Sequence, residues 1–527
     1  MTLIHNPILR GFNPDPSILR VGQDYYIATS TFEWFPGVRL YHSTDLVNWD
    51  LIGYPLDSTE KINMLGEDNS CGVWAPCLSY SEGIFYLVYT DVKSYRGSFK
   101  DTHNYLITAE DICGPWSEPV YLNSSGFDPS LFHDENGKKY FLNMQMDYRS
   151  YHSKFGGIVL QEYDCSKKKL VGEQKLIFKG SHIGYAEGPH LYQRNGYYYL
   201  ITAEGMTGFD HAVTAARSRT ISGPYETAPN TPLLTTRHLP ECGLQKAGHA
   251  SLVSTPDGEW YLAHLCSRPA GEDRRCILGR ETGLQRVIWR NDWLYMENGT
   301  IGPDMVLQIG MGEKEIPVDP VELFEDFNGS TWDKNLQTLR VPLGERGDLK
   351  AREGWLRLYG AESLNSKYRQ SLLAHRQQEF YVEAVTKVDF EPQNFQQMAG
   401  LTYFYNTDCY YYLYLSRDEY EGKTLSILQC DLGRGSHPIG MGVSIPENRE
   451  LYLRLKTSKE KAQFSYSIDG ETYLNIGDAM DATKLSDDYF QSTGHVMFTG
   501  AFIGICCQDL SGMGGYADFD FFSYKEE

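Results

Sequence analysis

Apolar positions in this chain come in short runs, alternating or continuous, each closed by a turn bearing Gly or Asp. Few windows keep apolar residues at i, i+3, i+4 and i+7, so long helices are not expected. The runs repeat instead. Asp15-Pro-Ser-Ile precedes GQDYYIATS, Ala75-Pro-Cys-Leu precedes EGIFYLVYT, and Asp128-Pro-Ser-Leu precedes NGKKYFLNM. Gly188-Pro-His-Leu with NGYYYLITA and His249-Ala-Ser-Leu with DGEWYLAHL complete a set of five. Each unit is an apolar run, a Gly turn and a strand rich in Tyr or Trp. Asn195-Gly196 and Asp257-Gly258 are hairpin signals, because both central residues of a type I′ turn need positive φ. The starts at 15, 75, 128, 188 and 249 give a period of about 60 residues, the length of a four-stranded blade with its loops.

The predicted fold is therefore all-β, a five-bladed β-propeller over residues 1–312. The charged segment GMGEKEIPVDPVELFEDFNG carries two prolines and supplies a linker over 313–322. From 323 to 527 the repeat is gone. Alternating strands such as ELYLRLKTS and AQFSYSIDGETY, with a turn at Asp469-Gly470, predict an antiparallel, jelly-roll-like β-sandwich. An open sandwich of unrelated hairpins is the alternative to the propeller, since sandwiches also space their strands regularly.

Length and composition narrow the class. The 527 residues exceed the roughly 300 that one core usually serves. A formal charge of -21 argues against a nucleic-acid partner, which needs a basic patch, and suits a neutral ligand. MTLIHNPILRGF lacks the basic and apolar regions of a signal peptide, and no apolar run of about 20 residues could span a membrane. The eleven cysteines are odd in number, show no CxxC spacing and include the adjacent Cys506 and Cys507. Reduced thiols and a cytoplasmic location are the expectation.

In a propeller the innermost strands line the axis, so equivalent positions converge at one end. Asp15, Asp128, Glu187 (next to the fourth phrase) and His249 would then meet in one cavity. Carboxyl groups sharing a low-dielectric site cannot all ionise, so at least one pKa should rise. Glycoside hydrolysis uses such a division, one carboxylate activating water and one protonated acid serving the leaving oxygen.

NPDPS with STFEWFPGV, GVWAPCLSY, SSGFDPSLF, YAEGPHLY, KAGHASLV and LGRETGLQ resemble glycoside hydrolase family 43, in the branch of β-xylosidases with a C-terminal sandwich. The likeness continues through FTGAFIGICCQD and YADFDFFSY near the end. It implies an inverting, exo-acting hydrolase that releases xylose from β-1,4-xylooligosaccharides, with α-L-arabinofuranosidase activity as an open alternative. On this resemblance Asp15 is the general base, Glu187 the general acid, and Asp128 the acid that orients Glu187 and keeps its pKa high. Arg280 would bind sugar hydroxyls, Phe32 and Trp74 would be apolar walls, and Thr207 would also touch substrate. Phe502 would reach across from the sandwich to close the pocket. No cofactor is implied for the chemistry, although in some relatives a hydrated divalent cation, often calcium, sits against the residue matching His249. Relatives are commonly homo-oligomers.

Two departures bear on sugar preference. Relatives place Trp where LNMQMDYRS has Met146, which on the resemblance would touch substrate in its place, and the stretch between LAHLCSRP and LGRET is short. Two other readings stay in view. Retaining fructan hydrolases pair the same two domains but use different acidic phrases. A non-catalytic carbohydrate-binding propeller would need no acid of raised pKa.

Overall fold

The computed structural model describes residues 2–309, 314–315 and 320–527. Half of the expected linker, residues 313 and 316–319, lies outside them. Five antiparallel arrays, four of them four-stranded and one, starting at Glu187–Arg194, five-stranded, form the propeller. Their innermost strands are Ser17–Val21, Gly72–Ser81, Gly126–His133, Glu187–Arg194 and Gln245–Ser254. The ring is fastened where Thr2–His5 pairs antiparallel with Val306–Ile309.

The repeated phrase is a backbone device. Asp15, Ala75, Asp128, Gly188 and His249 all have positive φ, at 56°, 38°, 56°, 55° and 38°. Four of them are non-glycine residues in a region that costs energy and persists only where the surroundings over-determine it. In four blades the ladder also shifts register at this point, between Trp74 and Cys77, Phe127 and Ser130, Glu187 and His190, and Gly248 and Ala250. A bulge re-aims the side chain that carries it. The small residue two places on ties the blades together: Ser17 Oγ accepts from Leu78 N at 3.0 Å, and Ser251 Oγ accepts from Ile18 N at 2.9 Å.

The C-terminal domain is a two-sheet antiparallel sandwich. Its outer sheet reads as alternation should, Leu451–Ser458 burying every second residue. In the other sheet Gln397–Asn406 and Cys409–Asp418 are buried on nearly every position. Period 2 explains this. Tyr403, Tyr405, Tyr411 and Leu413 point into the sandwich core, while Phe404, Tyr410, Tyr412 and Tyr414 join a cluster with Phe12, Trp34 and Trp74 of the propeller. The domains also share a short antiparallel ladder, Thr338 opposite Phe35 and Leu339 opposite Trp34. Arg376 crosses the boundary to donate to the Phe12 carbonyl and to Asn13 Oδ1.

Candidate active site

The axial kinks deliver their side chains to one cavity of about 390 Å³ at the end of the propeller facing the sandwich. Asp15, Asp128, Glu187, His249 and Arg280 all line it and are all buried. Gly188 occupies the kink in the fourth blade because a Cβ there would lie 3.0 Å from the His249 ring. The acid of that blade comes instead from the preceding residue, Glu187.

Asp15 is held for ionisation. Ser30 Oγ donates to its Oδ2 at 2.6 Å and Arg280 Nη1 to its Oδ1 at 3.2 Å, with His249 Nδ1 at 3.7 Å. Burial pushes its pKa up, but Arg280, His249 and the Ser30 bond outweigh it and hold the carboxyl below the ordinary aspartate value. Asp128 is pushed the other way, by burial and by the charges of Glu187 and Asp15, although Gly188 N donates to its Oδ2 at 3.1 Å. Burial also raises Glu187, against the cations Lys100 and Arg280 and with the help of Asp15, to about 7. Asp15 is therefore biased toward the carboxylate, and Glu187 and Asp128 toward the protonated acid.

The walls are aromatic. Phe32 (φ 51°), Trp74 and Phe498 form a triangle of ring contacts at 5.2 to 5.8 Å, and Arg280 lies over Phe32 and Phe498 at 5.0 and 5.5 Å. Trp74 Nε1 donates to the Ser70 carbonyl at 2.9 Å, which fixes the indole. Thr207 lines the cavity and accepts from Arg280 Nη1 at 3.2 Å. Among the described residues two buried donors or acceptors of the lining, Arg280 Nη2 and His211 Nε2, have no hydrogen-bond partner. Orphaned polar atoms in a cavity are costly unless water or a hydroxylated ligand meets them.

Two expectations from the sequence do not hold. Phe502 is completely buried behind the wall, stacked on Trp34 at 3.6 Å and 14°, and does not line the cavity. Strand alternation turns Phe502 and Cys506 to the propeller and Ile503, Ile505 and Cys507 into the sandwich. The residue that closes the pocket is Phe498, in the irregular segment just before that strand, together with Gly494, His495 and Val496. Ser70 Oγ accepts from Phe498 N at 3.1 Å, Tyr95 Oη donates to the Val496 carbonyl at 2.8 Å, and Arg280 Nε donates to the Phe498 carbonyl at 3.2 Å. FTGAF carried a signal for this segment, since a Cβ on Gly279 would lie 2.8 Å from Gly500 Cα. Met146 is likewise buried in the propeller cluster and outside the lining.

Lys100 was not foreseen. Its ammonium sits 5.0 to 5.9 Å from the ring centres of Phe127, Trp74 and Tyr95, and burial lowers its pKa despite Glu187 and Asp128. No motif marks a lone lysine in SFKDTH.

Around His249 the donor set does not suit direct calcium coordination. Calcium takes six to eight oxygens, whereas among the described residues no group of three or more His, Cys, Asp or Glu is placed to hold a metal. A cation there would rest on water.

A propeller whose axis gathers three carboxyl groups, an arginine and aromatic walls defines a glycoside hydrolase. Comparison with known proteins makes the same assignment more narrowly. Residues 4–294 match the model of glycosyl hydrolases family 43, and residues 325–525 match the β-xylosidase C-terminal concanavalin A-like domain. The chain belongs to glycosyl hydrolase family 43. It is 49% identical to a β-xylosidase of Bacillus subtilis over 99% of this chain and 100% of that protein. It is 47% identical to xylosidase/arabinosidase 43B of Humicola insolens over 100% and 98%. The crystal structure of a xylan β-1,4-xylosidase from Bacillus halodurans superposes with a TM-score of 0.95, at 49% identity over 99% of this chain and 100% of that one.

Proposed function

We propose that this enzyme is an inverting, exo-acting β-xylosidase that removes single xylose units from the non-reducing end of short β-1,4-xylooligosaccharides. The observation that carries the mechanism is the opposed electrostatic bias of two carboxyls in one cavity, Asp15 held low and Glu187 raised to about 7. Asp15 takes the proton of the attacking water as its oxygen bonds to the anomeric carbon. Glu187 gives its proton to the glycosidic oxygen as the C–O bond breaks, so the leaving sugar departs neutral. Asp128, whose Oδ2 accepts from Gly188 N, is tied to the backbone next to Glu187 and positions the acid. Arg280 Nη2, the one nitrogen of the guanidinium without a protein partner among the described residues, meets a sugar hydroxyl. The roof of Gly494–Phe498 supports action at a chain end, because it covers the cavity from the second domain.

The names of the relatives support xyloside chemistry, and one of them, at 32% identity, is a non-reducing end α-L-arabinofuranosidase. Arabinofuranoside hydrolysis in the same pocket is the second reading. Eleven free thiols, including Cys506 and Cys507, support work in the cytoplasm. Proton NMR of the xylose at first release from a nitrophenyl β-xyloside, whose leaving group is not a sugar, tests the reading. Inversion gives α-xylose, and β-xylose as the first product would refute it. Relative kcat/KM on the two nitrophenyl pentosides ranks the two sugars.

A further inference from the structure

The departure at Met146 has a structural counterpart across its hairpin. Met146 is paired in register with Phe155, and the ladder shifts between Gln145 and Met146. The extra residue is Gly156, where a Cβ would lie 2.9 Å from the Gln145 carbonyl oxygen, and it is followed by Gly157 at φ 112°. FGG is thus a bulge that only glycine accommodates, and it re-aims the residue before it. Met146 is buried, while half-buried Phe155 lines the catalytic cavity.

Phe155 is braced on two sides. Phe127 meets it edge-on at 6.1 Å, and Tyr185 meets it edge-on at 5.4 Å and 86°. Tyr185 is 49% exposed, has φ 60° and stands two residues before Glu187. A left-handed tyrosine costs energy, so its placement against Phe155 is an enforced feature of the strand entry that delivers the acid. Met206, 46% exposed, lines the same mouth. Apolar groups left accessible beside a proton donor suit the C–H face of the sugar attached to the oxygen being protonated.

We propose that Phe155, braced by Tyr185, is the platform for the departing sugar and sets the preference for oligosaccharides over substrates with small leaving groups. This rests on Glu187 as the acid. The test compares xylobiose with β-xylosyl fluoride, whose leaving group is too small to reach the platform. Phe155→Ala should lower kcat/KM on xylobiose about tenfold or more and leave the fluoride within about twofold. Phe155→Met, which keeps apolar bulk without a flat face, should show the same split, and Phe155→Trp should restore xylobiose. Equal losses on both substrates, or unchanged xylobiose hydrolysis in both Ala and Met variants, overturn the proposal. If the wild-type enzyme cleaves neither substrate, the xylosidase reading fails instead.

Discussion

Replacing Glu187 with Gln removes one proton and almost no volume, so it isolates the acid. In the wild-type enzyme a group at about 7 is about half protonated at pH 7 and about one part in a hundred at pH 9. Because the acid must be protonated, kcat/KM on xylobiose should turn over near pH 7 and fall about tenfold per unit above pH 8. The opposite limb belongs to Asp15, which must be ionised. Its pKa lies below the ordinary aspartate value, so activity should persist to pH 4 or lower, about where an unperturbed aspartate titrates. In Glu187→Gln, kcat/KM on xylobiose should fall by about 10²–10⁴, the usual contribution of general acid catalysis. That corresponds to about 2.7–5.5 kcal/mol of transition-state stabilisation. On a dinitrophenyl xyloside, which departs without help, the loss should stay under about tenfold and the alkaline limb should vanish. Stopped-flow release of the nitrophenolate across pH 4 to 10, beside xylose release from xylobiose, reads both quantities. An alkaline limb near 7 that survives in the variant, or equal losses on the two substrates, refutes the assignment.

Three further outcomes follow from particular contacts. Lys100 is the largest influence opposing the burial of Glu187, so Lys100→Met should move the alkaline limb upward from about 7 in the same pH profile; an unmoved or lowered limb would count against it. Phe498→Ala should raise KM with little change in urea midpoint, whereas Phe502→Ala, which empties a packed site under Trp34, should cost about 3–5 kcal/mol of stability and leave KM alone. The reverse pattern would return the pocket wall to Phe502. Lys246 is buried against Asp488 at 2.7 Å and Asp487 at 3.2 Å, at the start of the helix Asp487–Ser492 that leads into the roof. Lys246→Met strands the buried Asp487 and the partly buried Asp488, so urea unfolding should show a loss of about 3–5 kcal/mol and KM should rise; a neutral result would show the pin to be idle.

The architecture was legible because it is written locally. Five turn phrases at regular spacing are each a short-range event, a kink and a hairpin that nearest neighbours dictate. Once five blades are inferred, ring geometry places Asp15, Asp128, Glu187 and His249 together without further information. The sandwich was readable for the same reason, from period-2 alternation in Leu451–Ser458.

What local pattern could not carry was decided between the domains. Phe502 and Phe498 are four residues apart and equally aromatic; Phe502 opens a strand whose alternation turns it behind Trp34, whereas Phe498 lies in the irregular segment before that strand and reaches the cavity. Lys100 acquires its role from Trp74 and Phe127 on two strands and from Tyr95 in its own loop, and Phe155 from a bulge that faces it away from buried Met146. The electrostatics were foreseeable only in outline. That acids would gather followed from the repeat, but which one stays charged depends on Arg280 and Ser30 reaching Asp15 rather than its neighbours. Chain order determines which residues share an axis, and side-chain packing across 200 or more positions determines which of them keeps its proton, because desolvation and charge act through space and not along the chain.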